Sequence, residues 1–253
     1  MCSMLYNAPW PRPKFEDCYW YHSLDLPDGR TVHGQWDLRG RFADYTSHAA
    51  MAGKRVLDVG TASGFLTWEA ERAGADVVSF DLDHARRQRL LPFRDQEYFY
   101  DRAESERKRE VFFNGMKSSY WYMHHALRSR ALVHYGDSEN LPRELGHFDL
   151  ALLCSVVEHL PDHIQTIASV AALADTIVMT GPVTDTDALV ADFAGRRANP
   201  TANFSFWRYS LGTYREIFGM VGFGINRVTR GKYRCLLDNS DVELPTIVAC
   251  RSK

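Results

Sequence analysis

The stretch "RVLDVGTASGFLTWEAERAGADVVSFDLD", Arg55 to Asp83, decides how the rest of the chain is read. An apolar run, Arg55–Val59, ends in a turn of small residues. A helix-period segment follows, and a second apolar run closes on Asp81 and Asp83. Apolar runs bounded by turn residues predict strands, and a helical pattern between two of them predicts a βαβ unit. Gly60 and Gly64 stand where the chain must turn, since glycine adopts positive φ and lets a ligand approach the main chain. The start of the following helix adds N–H groups with no partner inside the helix.

These features select among ligands. A dinucleotide site would place a pyrophosphate on such N–H groups, but its G-x-G-x-x-G pattern is missing here. A Walker A loop is excluded because no Gly-Lys-Ser/Thr follows the turn. Asp81, at the tip of the second strand, is suited to accept both hydroxyls of a ribose. Together they predict a nucleoside ligand without a pyrophosphate.

Working outward, further apolar runs fall at 131–135, 148–153, 176–180, 222–228 and 246–249, most of them separated by helical patterns. This alternation predicts an α/β, Rossmann-like fold: a seven-stranded, mostly parallel sheet with an antiparallel edge hairpin and helices on both faces. No repeat or low-complexity linker divides residues 41–253, which read as one domain with a helical insert at 84–130. That insert is expected to hold a charged helix, Glu104–Glu110, and an aromatic one, Ser118–Arg128. Residues 1–40, rich in proline and aromatics, read as an N-terminal arm or lid.

Composition narrows the class. The 253 residues carry a net charge of -2, which disfavours general nucleic-acid binding. Five scattered cysteines without a C-x-x-C pair predict reduced thiols and no metal site. The N-terminal residues have no apolar signal core, and no run approaches 18 apolar residues. A soluble, cytoplasmic protein without membrane contact is expected. Aromatics make up 13% of the chain, enough to line a pocket as well as a core.

From these residues the chain resembles the class I S-adenosylmethionine-dependent methyltransferase family over roughly residues 40–253. "VLDVGTASGF" is similar to the family's first motif, with Gly60-Thr61-Ala62-Ser63-Gly64 in place of Gly-x-Gly-x-Gly. "VVSFDLD" is similar to the second, "VHYGDSENLP" to the third and "FDLALLCSVVEHLPD" to the fourth strand and its loop. The ending "WRYSLGTYREIFGMVGFGINRV" resembles that of small-molecule methyltransferases. "WYHSLDLPDGRTVHGQWDLRGR" resembles tRNA wobble-uridine methyltransferase relatives.

The resemblance implies S-adenosylmethionine as cofactor. It implies that Asp58, Gly60, Thr61, Gly64, Asp81, Leu82 and Ser155 contact the cofactor, with Asp81 as the acid on the ribose. Asp137 would accept from the adenine amino group and the Ser138 N–H would meet the ring. Arg39 or Arg41, fewer than twenty residues before the first strand, would bind the methionyl carboxylate as a guanidinium fork.

Methyl transfer asks the protein for alignment and a dry site, and a protonated nucleophile also needs a base. Histidine is the usual base near neutral pH. His159 follows the fourth strand, where ligands bind in such sheets, and His22 lies in the aromatic arm. Tyr122, in "SSYWYMHHALRSR", is a candidate pocket wall and, with His159 and His22, a candidate catalytic side chain. The leading expectation is therefore a small-molecule methyltransferase, with homodimer formation left open. Three alternatives stand beside it: a cyclase making azetidine-2-carboxylate and methylthioadenosine from S-adenosylmethionine alone, a tRNA-modifying methyltransferase, and a non-catalytic nucleoside-binding module.

Overall fold

The computed structural model describes residues 5–252; Cys2 and the first residues of the N-terminal reading lie outside that range. The arm contributes three two-residue strands, β1 (Leu24–Asp25), β2 (Thr31–Val32) and β3 (Trp36–Asp37), followed by a single helical turn, α1 (Phe42–Tyr45). Then come β4 (Arg55–Val59), α2 (Phe65–Arg72), β5 (Asp76–Leu82), α3 (Glu97–Tyr100), α4 (Arg102–Leu127) and β6 (Leu132–Gly136). The second half runs β7 (Leu150–Cys154), α5 (His163–Ala171), β8 (Thr176–Thr180), β9 (Ala191–Phe193), β10 (Trp207–Tyr209), α6 (Leu211–Met220), β11 (Phe223–Cys235) and β12 (Ser240–Arg251).

The main sheet has the order β3-β11-β12-β8-β7-β4-β5-β6. Strands β4 to β8 are parallel, and β12 joins β8 antiparallel. The hairpin β11–β12 forms the expected antiparallel edge, and a register shift between Ile225 and Arg227 bends it. An eighth strand extends the expected seven: β3 pairs Trp36 and Asp37 with Cys235 and Arg234. Its two residues are too few to show period-two patterning in sequence.

The central strands are buried on both faces, as parallel strands between helical layers must be. Val56, Val77 and Leu152 face a core with Phe65 and Trp68 of α2 and Tyr120 and Trp121 of α4. Leu57, Val78 and Leu153 face the other core, with Ile167 of α5 and Phe218 of α6. Leu24, Leu26, Val32 and Leu38 of the arm are buried in the first of these cores.

The insert departs from expectation. One 26-residue helix, α4, replaces the two expected. Asp101 caps it by accepting from the Glu104 N–H, and Arg128, in left-handed backbone, ends it. Its charged first turns pair Arg107 with Glu104 and Lys108 with Glu97, while its later turns bury aromatics. The change from charged to aromatic residues thus marks a change of environment along one helix.

Candidate active site

Beyond β4 the chain turns through Gly60 (φ +77) and Gly64 (φ +89), the residue that opens α2. The Gly60 and Thr61 N–H groups both donate to the Phe80 carbonyl, at 2.8 and 3.2 Å, tying the turn to β5. A Cβ at Gly60 would stand 2.6 Å from Val156 Cγ2, so no side chain fits there. The Asp81 carboxylate is fixed beside the turn, accepting from Ala62 N and Leu82 N at 2.7 Å each. Burial lifts its pKa above the ordinary range, while those two donors and the nearby Lys117 pull it back. The buried Lys117 ammonium donates to the Asp83 carbonyl at 2.9 Å and lies 4.6 Å from the Tyr135 ring centre.

Under the turn runs a buried hydroxyl network. Thr67 Oγ1 donates to Asp58 Oδ2 at 2.7 Å and contacts Thr61 and Ser79 hydroxyls at 2.9 and 2.7 Å. Tyr120 donates to Ser79 at 2.8 Å. Asp58 is wholly buried, its Oδ1 has no partner, and burial pushes its pKa up to about 6.

The turn after β7 stands beside the first one, since β7 pairs with β4. Ser155 holds φ +51 without being glycine, and its N–H donates to the Thr180 carbonyl at 2.6 Å. Its hydroxyl meets the Tyr45 hydroxyl at 2.8 Å, and the Tyr45 carbonyl accepts from Thr180 Oγ1 at 2.8 Å. Glu158 is buried beside Gly181 at the end of β8, and its Oε2 has no hydrogen-bond partner. Its carbonyl accepts from the Phe206 N–H at 3.0 Å, which fastens the segment leading into β10 over this end of the sheet.

The profile of the methyltransferase domain family matches residues 35–217, which is 183 of the 253 residues and includes both turns, Asp81 and Asp137. The chain belongs to this family. Its fold is that of class I S-adenosylmethionine-dependent methyltransferases. Two similar relatives are named ubiquinone biosynthesis O-methyltransferase. One, from Aromatoleum aromaticum, is 29% identical over 126 residues, covering 50% of this chain and 42% of the relative. The other, from Methylococcus capsulatus, is 30% identical over 150 residues, covering 58% and 50%. The chain thus spans about half the length of these relatives or less. In fold it is similar to magnesium protoporphyrin IX methyltransferase from Synechocystis PCC 6803 with bound SAM, at TM-score 0.50 and 17% identity over 85% of this chain and 78% of that one. It is also similar to the N-terminal domain of EvdMO1, at TM-score 0.54 and 13% identity over 94% and 93%.

Within this methyltransferase domain the sequence-derived cofactor residues divide. Gly60, Thr61, Gly64, Asp58, Asp81 and Leu82 gather around the first turn. Ser138 is buried next to Asp137, whose oxygens accept from Arg87 Nη1 at 2.8 Å and Glu139 N at 3.1 Å. Both arginines are already ion-paired. Arg39 is gripped by Asp37 and Asp25 at 2.7 Å each, and Arg41 pairs with Asp44 at 3.2 Å and lies toward the Tyr233 ring. Aspartates close to them in the fold have claimed both guanidinium groups.

The three expected catalytic side chains are not brought together. His22 is buried, with its N–H donating to Ser63 Oγ at 3.0 Å and its Nδ1 3.3 Å from the same oxygen. Desolvation lowers its pKa to about 3, so it takes up no proton near neutrality and instead fastens the arm to the turn. His159 turns its Nδ1 to the Phe204 carbonyl at 3.0 Å, away from the crevice, because the short helical turn at Val157–His159 sends neighbours to different sides. Glu158 is the inward member of that pair. Tyr122 packs between Phe15 and Trp20 of the arm and accepts from Arg30 at 3.2 Å.

Tyr45, Glu158, Lys117 and Arg87 escaped sequence reasoning. Only Glu158 carried a signal there, as the acid adjoining a suspected histidine. Among the described residues no group of three or more His, Cys, Asp or Glu could hold a metal ion. No described helix is long and apolar enough to cross a membrane.

The donor set beside Asp81 fits a nucleoside: a carboxylate for a diol, flanked by Phe113, Met116 and Tyr135 as apolar walls. The cavity between them is about 10 Å³, room for a single water. A ribose therefore seats there only as Phe113, Met116 or Lys117 of α4 swings outward.

Proposed function

We propose that this domain methylates a small molecule with S-adenosylmethionine as methyl donor. The observation that carries this reading is the Asp81 carboxylate, held at 2.7 Å on the Ala62 N–H beside the glycine turn, within the stretch matched to the family. In this reading Asp81 accepts from the ribose hydroxyls, the Gly60–Gly64 turn admits the methionyl end, and Asp137 with Ser138 borders the base. When bound, S-adenosylmethionine supplies an electrophilic methyl group on a sulfonium sulfur. The chain supplies alignment and exclusion of water, with the arm drawn over the turn by His22 and the 204–207 segment drawn over β7 by Glu158. The relatives' names support a small acceptor, and so does the net charge of -2, which suits a polyanion poorly.

The test is incubation of the protein with S-adenosylmethionine, alone and with a small-molecule metabolite extract, followed by mass spectrometry. S-adenosylhomocysteine and a product heavier by one methylene, formed only with extract, are expected. Methylthioadenosine released without any acceptor would replace this reading with the cyclase.

A further inference from the structure

The turn after β7 holds a group that nothing in the cofactor reading uses. Glu158 is 8% exposed, its Oε2 meets no donor, and among the described residues it forms no salt bridge. Leaving a buried acceptor unsatisfied costs stability, so a buried carboxylate without a partner calls for a ligand that completes it. It sits at the carboxyl ends of β7 and β8, beside Gly181, at the edge of the sheet where ligands bind in folds of this kind. Building on the methyltransferase reading, we infer that Glu158 binds the acceptor's hydroxyl group and takes its proton during methyl transfer.

The surroundings define the acceptor's chemistry. The titratable groups within electrostatic range of Glu158 are Tyr21 of the arm, Tyr45 of α1, Cys154 of β7, Tyr214 of α6 and its neighbour His159. Burial raises the three phenols and the thiol above their ordinary ranges, so all four are uncharged near neutrality. Burial also raises Glu158 itself, toward the range in which a carboxylate is an effective base. An acceptor bearing its own carboxylate close to the reacting atom would meet like charge in a poorly solvated site. An ammonium would be held in its protonated, non-nucleophilic form by the ion pair. A neutral hydroxyl satisfies Oε2 and retains a lone pair for attack. As the oxygen bonds to the methyl carbon, the carbon–sulfur bond breaks and its electron pair stays on the sulfur of the departing S-adenosylhomocysteine. The O–H bond breaks with it, the proton passes to Oε2, and the glutamic acid then releases it to water.

The test uses the full chain with three probes: catechol, benzyl alcohol and benzylamine. Glu158→Gln keeps the shape and removes the base. Turnover of the hydroxyl probes should fall about 100-fold or more, the usual weight of a general base, with KM nearly unchanged. S-adenosylmethionine affinity by calorimetry and the melting temperature should hold. The acid limb of the wild-type pH–rate profile should vanish in Glu158→Gln, and Glu158→Asp should recover part of the rate. Turnover in Glu158→Gln within threefold of wild type would overturn the inference. So would a wild-type enzyme that methylates benzylamine but neither hydroxyl probe, an outcome that leaves the methyltransferase reading intact. Failure to bind S-adenosylmethionine would remove that reading, and this one with it.

Discussion

The two turns that stand side by side at the carboxyl edge of the sheet, after the paired strands β4 and β7, solve the same backbone problem with different residues. After β4 the positive φ angles fall on Gly60 and Gly64, with Ala62 between them at +49°; after β7 one falls on Ser155, at +51°, with no glycine beside it. A glycine advertises such a turn in the sequence, whereas a serine held there by its tertiary partners does not. Ser155 keeps its strain because Thr180 accepts from its N–H and Tyr45 meets its hydroxyl. The glycine turn was legible in the sequence as a turn; Ser155 was expected beyond the fourth strand, but nothing in the sequence marked its left-handed backbone or the inward Glu158 beside it.

The comparison breaks most readily at Gly60. Gly60→Val forces a branched side chain onto positive φ and against Val156, 2.6 Å from the new Cβ. A loss of about 3–5 kcal/mol in urea unfolding is expected, together with loss of S-adenosylmethionine binding by calorimetry. Full stability in the variant would mean the turn has room to spare.

Asp58, below the same turn, should show itself through pH. Its folded pKa of about 6 lies above the ordinary 3.8, so its protonated form favours the fold. That contribution is fully present below pH 4 and is lost as pH rises through 6. Relative to Asp58→Asn, the wild type should therefore lose about 3 kcal/mol between pH 4 and pH 7, read from urea unfolding at each pH. A flat difference between the two proteins would show that Asp58 stays ionised inside the fold.

Asp81→Ala tests the nucleoside end. It removes the acceptor for Ala62 and Leu82 as well as for a ribose, so S-adenosylmethionine affinity should drop by about 1.5–3 kcal/mol per lost bond. Calorimetry with unaltered affinity would remove the ribose assignment.

The smallest effect is expected at Ser155. Ser155→Gly relieves left-handed strain of about 1–2 kcal/mol but loses the contact with Tyr45, about 1 kcal/mol. A melting temperature within a few degrees of wild type is expected. A large loss would place more of the second turn's energy in the Tyr45–Ser155 contact than the first turn holds in any one hydroxyl.

Much of the fold was legible because it rests on local pattern. Arg55–Val59 and Thr176–Thr180 are apolar runs buried on both faces, and their strands begin and end where the runs do. The insert was misread because the change from "RAESERKRE" to "SSYWYMHH" looks like two helices, yet no residue between them stops a helix. Gly115 lies between the two patterns, and α4 runs through it to bring its backbone against Tyr19, whose N–H donates to the Gly115 carbonyl at 2.9 Å.

By itself, the sequence determined the parallel sheet, the glycine turn and the acid at the end of β5, because hydrophobic period and glycine conformation act within a few residues of chain. Only the tertiary structure decided that His22 is a desolvated fastener, that aspartates claim Arg39 and Arg41, and that Glu158 faces inward where His159 was expected. Burial and pairing depend on what other segments bring alongside. A side chain's charge state follows from those neighbours, and they are distant in the chain.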